Sequence, residues 1–104
     1  MKILDIGHQY ELANFDQPDK SGQILQFIKK TPIKKGLPEL KVVNDGTTNE
    51  EVLLVLIDRL NTLNTIFPSQ ENTIALIHIE TALLWLDKRT ADRIARGVEG
   101  TCQK

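Results

Sequence analysis

Residues 47–101 read TTNEEVLLVLIDRLNTLNTIFPSQENTIALIHIETALLWLDKRTADRIARGVEGT, with a single proline and no glycine before Gly97. Leu53, Leu56, Ile57, Leu60, Leu63, Ile66 and Phe67 recur at three- and four-residue steps, the period of one helix face. Thr48 and Glu51 match a capping box, and Glu50 and Glu51 fall in the first turn, where the helix dipole favours negative charge. Phe67-Pro68 stops this helix, and Ser69 is the N-cap residue for a second one with Glu71 in its first turn. There the pattern Ile74, Ile77, Glu80/Thr81, Leu84, Trp85 and Lys88 runs on toward Gly97. A helix from Gln70 to Arg96 would be about 27 residues and ~40 Å long, more than the width of a small domain. The overhang should expose a stripe, Ala75, Ile79, Ala82 and Leu86, which a second chain would cover. The expectation is a homo-oligomer, most simply a two-fold dimer.

Upstream, the period changes. Lys2 to Ile6, Tyr10 to Phe15, Gln23 to Ile28 and Glu39 to Val43 carry β-branched or aromatic residues, and turn-forming clusters bound them. They predict three or four short antiparallel strands, too few to bury a core alone. The composition shifts at Asn44-Asp45-Gly46. The fold class is therefore α+β: a small N-terminal antiparallel sheet, then a long antiparallel helical hairpin that oligomerises through its helices. We expect one domain, with a strand-rich part over 1–44, the hairpin over 45–97 and a frayed tail over 98–104.

The 104 residues are 40% apolar and 26% charged, which is one ordinary domain and excludes a multidomain machine. Thirteen Lys and Arg against fourteen Asp and Glu give a formal charge of -1, so the basic footprint of a duplex-DNA binder is missing. One cysteine, Cys102, excludes a disulfide framework and fits a reducing, intracellular compartment. The longest strictly apolar run, Val52 to Ile57, is far below the ~20 residues that span a bilayer, and the N-terminus lacks a signal-peptide pattern.

One charge cluster stands out. Arg89, Arg93 and Arg96, at i, i+4 and i+7, project from one face of the last helical turns with Lys88 beside them. They are either cations that stabilise a helix C-terminus and pair with Asp87 and Asp92, or guanidinium forks that grip a pyrophosphate. Asn72 lies in the first turn of the same helix, where free backbone N–H groups favour an anion or a polar base edge. Seventeen residues separate it from Arg89, roughly 25 Å along a helix, so only an antiparallel partner helix could join them at one ligand. Lys29, Lys30, Lys34 and Lys35 bracket Thr31-Pro32-Ile33, either adding positive potential or guarding a strand edge. Trp85 and Phe67 read as core or interface anchors, Tyr10, Phe15 and Phe27 as packing residues, and His78 as a packed or interface histidine. No nucleophile–base pair, phosphate loop or metal motif appears, so the expectation is no enzyme, no cofactor and no metal.

The segments NDGTTNEEVLLVLIDRLNTLN, FPSQEN and ALLWLDKRTADRIARGVEGT together resemble the helical hairpin shared by phage anti-Thoeris and anti-CBASS sponge proteins. YELANF and QILQFI are similar to strands of the type I Thoeris anti-defence (Tad) family. The resemblance covers about Tyr10 to Thr101, and its most specific piece is EN…WL..RT.DR..RGVEG. It implies a catalytically inert protein that binds cyclic ADP-ribose isomers, such as glycocyclic ADP-ribose, made by bacterial TIR enzymes. Related sponges also take up cyclic di- or trinucleotides in higher oligomers. By motif, the implied ligand-binding positions are Asn72, Arg89, Arg93 and Arg96. The implied partners are the small-molecule ligand and further copies of the chain, as a homodimer or hexamer, in the cytoplasm of the infected bacterium; no nucleic acid polymer and no membrane is implied. Two other readings compete: a module that docks a host or phage protein through its hairpin, and a hydrolase of the same signal, for which no catalytic set is visible.

Overall fold

A computed structural model describes Met1–Lys104, which divide into two compact units, Met1–Thr48 and Asn49–Lys104. The division falls a few residues past the composition shift.

The first unit holds five short strands. β1 (Lys2–Asp5), β2 (Gln9–Glu11) and β3 (Ile24–Gln26) form an antiparallel sheet in that order, with Ile3 opposite Tyr10 and Tyr10 opposite Leu25. β4 (Lys29–Pro32) and β5 (Leu40–Asn44) form a separate antiparallel ribbon with Thr31 opposite Lys41. Gly7, at φ 78°, supplies the left-handed turn between β1 and β2 that a residue with a Cβ adopts at a cost. The chain returns beside β3 at Thr47, whose N–H donates to the Gln26 carbonyl at 2.9 Å while its own carbonyl accepts from Ile28 N–H at 2.9 Å. Gly46 permits this approach, because a Cβ there would collide with the main chain of Gln26 and Phe27. Tyr10 and Phe27 meet edge to face with ring centroids 6.0 Å apart, a favourable aromatic geometry.

Two expectations change in this unit. The strand expected over Tyr10 to Phe15 ends at Glu11, and Phe15 packs on nothing: it is fully exposed in a loop held by Asn14 Nδ2 donating to the Ser21 carbonyl at 3.1 Å. β4 was not among the expected strands. Its Lys-Lys-Thr-Pro sequence lacks an apolar alternation, and Pro32 sits at the strand's end, where a missing N–H is tolerated.

The second unit is the hairpin. α1 runs Asn49–Ile66 and α2 runs Gln70–Ala95. Ser69 caps α2, its hydroxyl accepting from Asn72 N–H at 3.0 Å. Asn64 organises the connection from both sides: its Oδ1 accepts from Ser69 N–H at 2.9 Å and its Nδ2 donates to Thr73 Oγ1 at 3.2 Å. No helix is long and apolar enough to cross a membrane.

The stripe of α2 that packs inward is not the expected one. Ala75, Leu76, Ile79, Leu83 and Leu86 are the covered positions, with Leu76 buried, whereas Ile74, Ile77, Leu84 and Trp85 lie outward. Leu84 is 68% and Trp85 66% exposed. Of the stripe expected to be free, only Ala82 is exposed. The physical reason is that α2 carries two apolar stripes of equal period, and the one containing the small Ala75 lets the helices approach. Phe67 is likewise exposed, so neither it nor Trp85 anchors the core of this chain.

Candidate functional site

The last turns of α2 were expected to present three arginines on one face. The structure divides them. Arg93 is buried, 5% exposed, and four of its five N–H donors are taken by the chain that follows. Nε donates to Glu99 Oε2 at 3.2 Å, and Nη2 donates to the carbonyls of Val98 at 2.9 Å and Thr101 at 2.8 Å. Nη1 donates to the Gln103 carbonyl. The tail expected to fray is thus folded on Arg93. Gly97 and Gly100, at φ 72° and 81°, turn the chain back, and Val98 N–H donates to the Arg93 carbonyl at 3.0 Å to close the helix end.

Arg96 is exposed and donates from Nη1 to the main-chain oxygen of Lys104 at 2.6 Å. Lys88 pairs with Asp92 at 2.8 Å on the surface. Arg89 is exposed and its side chain has no partner within the chain, so it is the cation of this group whose full set of donors is open to a ligand. The Gly-Val-Glu-Gly run that lets the tail reach Arg93 was visible in the sequence, but not that its carbonyls would take the guanidinium.

Asn72 is half-buried at the other end of the same uninterrupted helix. At 1.5 Å and 100° per residue it stands roughly 25 Å from Arg89 and about 100° around the axis, on the side facing α1. One chain therefore does not bring Asn72 and Arg89 together. His78 is exposed on the flank of α2 and packs on nothing. No three His, Cys, Asp or Glu side chains gather in a metal-binding arrangement.

Away from this helix, Lys29 is committed to Asp5, Nζ to Oδ2 at 2.9 Å, while Lys30, Lys34 and Lys35 are exposed. The Lys29 bond, with the charges of Lys29 and His8, holds the Asp5 carboxyl below its ordinary range against a small opposing desolvation. On the outer side of α1 an open groove of about 580 Å³ is lined by Leu54, Val55, Asp58, Arg59, Thr62 and Leu63, none of them a residue singled out for ligand binding.

With this architecture in view, the class of protein follows. Residues 29–91 match the Acb2/Tad1 hairpin domain family, well over half of the chain, and the chain belongs to that family. It is also 39% identical over 88 residues to "Thoeris anti-defense 1" of Bacillus phage SBSphiJ7, a match that spans 73% of this chain and 62% of that protein's length. The resemblance stated from the hairpin and strand motifs is thereby confirmed at the level of the family.

Proposed function

We propose that this chain is a non-enzymatic sponge that binds cyclic ADP-ribose isomers, glycocyclic ADP-ribose among them, made by the TIR enzymes of Thoeris defence. It holds the signal away from its effector in the cytoplasm of the infected cell and returns it uncleaved. The observation that carries this reading is the 39% identity to a protein named for anti-Thoeris activity. Arg89 supports it physically, since an unpartnered guanidinium can meet a pyrophosphate with two parallel hydrogen bonds or stack on adenine. Arg96 is the second cation, and Asn72 supplies a polar edge when a further copy of the chain brings it level with Arg89. Arg93 reaches a ligand only by releasing the tail. Cyclic di- and trinucleotides form a second ligand class at separate sites.

Sequestration works by mass action, so the protein must exceed the signal and bind at or below the concentration at which the effector fires; nanomolar binding corresponds to about -12 kcal/mol. The test is calorimetry against the small-molecule fraction of a TIR reaction, followed by heat denaturation and chromatography of what is released. Tight binding with intact ligand recovered, weakened at least tenfold by Arg89→Ala, is the expected outcome. Absence of binding, or recovery of a cleaved product, overturns the sponge.

A further inference from the structure

The outer face of α2 is the most apolar uncovered helix surface in the chain: Ile74, Ile77, Leu84 and Trp85, all large and all exposed, lie on one side with Thr81 between them. Beside that face, on one flank, stand Glu71, His78, Ala82 and Arg89, spaced so that successive 100° steps return each to the same side. The two halves of this pattern mirror one another. Counted from Glu80, Glu71 lies nine residues before and Arg89 nine after, and His78 and Ala82 lie two before and two after. Ile77 and Leu84 straddle the same point. Neither Glu71 nor Arg89 has a side-chain partner within the chain.

We infer that this face docks a second copy of the chain, α2 against α2 in antiparallel register about a two-fold axis at Glu80–Thr81. Such an axis keeps each flank on its own side. It therefore sets Glu71 against Arg89 of the partner subunit twice over, while Ile77 meets Leu84 of the partner subunit at the centre. Charge complementarity alone selects antiparallel over parallel, because a parallel pairing would set like charges at the same height.

Surface area points to the same occupant. A compact monomer of 11.8 kDa exposes about 5,900 Å², and even two separate compact bodies sharing that mass expose about 7,100 Å². This chain exposes 8117 Å². The excess over two separate bodies is roughly 1,000 Å², close to the ~800 Å² per partner of a standard interface. The inference does not rest on the ligand reading. In this register Asn72 nevertheless comes level with Arg89 of the partner subunit, closing the roughly 25 Å that separates them in one chain.

The test uses the full chain without ligand, by sedimentation equilibrium, with circular dichroism to verify helicity. Glu71→Arg and Arg89→Glu should each weaken the dimer about tenfold, and the two together should restore it to within about threefold, since the reversed pairs attract again. Glu80→Gln should tighten it about twofold, because the two copies of Glu80 lie beside the axis on the other flank and repel. In a Cys102→Ser background, Thr81→Cys should form an intersubunit disulfide under mild oxidation. A monomeric mass at micromolar concentration overturns the inference. So does a double variant as weak as the two single losses combined, or cross-linking by Val55→Cys on the outer side of α1 in place of Thr81→Cys.

Discussion

The two faces of α2 have nearly the same composition and opposite fates. Leu76, Ile79, Leu83 and Leu86 turn toward α1, whereas Ile74, Ile77, Leu84 and Trp85 are left in solvent by the same backbone. A soluble monomer seldom maintains both. The contrast teaches that the inner stripe holds the hairpin together and the outer stripe is kept for something outside the chain. A few residues further on, the arginines repeat the lesson: Arg93 turns inward and is saturated by the tail, and Arg89, one helical turn away, stays open.

The largest expected effect breaks the inner face. Leu76→Ala removes the one buried apolar side chain of the hairpin and should cost about 3 kcal/mol, read as a lower urea midpoint. Leu84→Ala, measured on dilute protein, should stay within about 0.5 kcal/mol of the parent, because it deletes contacts the single chain does not make. Equal losses for the two would erase the distinction between the faces.

The next effect sharpens the contrast between the arginines. Arg93→Ala strands Glu99 and three main-chain carbonyls and should cost about 2 kcal/mol. Amide exchange should locate the damage by losing protection over residues 97–104. Arg89→Ala should leave that protection unchanged.

The smallest effect lies in the strand unit. Asp5 is held below its ordinary range by Lys29, so the pair's contribution is complete above the unfolded-state value near pH ~3.9 and fades as pH falls through the lower folded value. The stability difference between the parent and Asp5→Asn should therefore be constant at neutral pH and vanish below about pH 3. Both partners are about a third exposed, which keeps the difference small.

What the sequence disclosed was local. The stop at Phe67-Pro68, the cap at Ser69 and the end of α2 at Gly97 depend on a few adjacent residues, and each stands where spacing and capping chemistry put it. The inward stripe of α2 was not legible, because two apolar stripes satisfy the same period and only packing against α1 distinguishes them. β4 was hidden by its lysines and Pro32, which become a strand through pairing with β5. At the candidate site, helical spacing placed Arg89 and Arg96 on the surface, while the fate of Arg93 depended on a tail whose path two glycines permit without announcing.

The connection between the helices also bears on how the molecule forms. Asn64 and Thr73 are nine residues apart and already joined by a hydrogen bond, so the first loop to close is among the shortest a helical hairpin allows. Loops of that length close in roughly 10–100 ns, and every later contact between α1 and α2 extends outward from this one like the teeth of a zip. Contacts so near in sequence place the hairpin among fast-folding topologies, ready well before a slowly accumulating signal requires it.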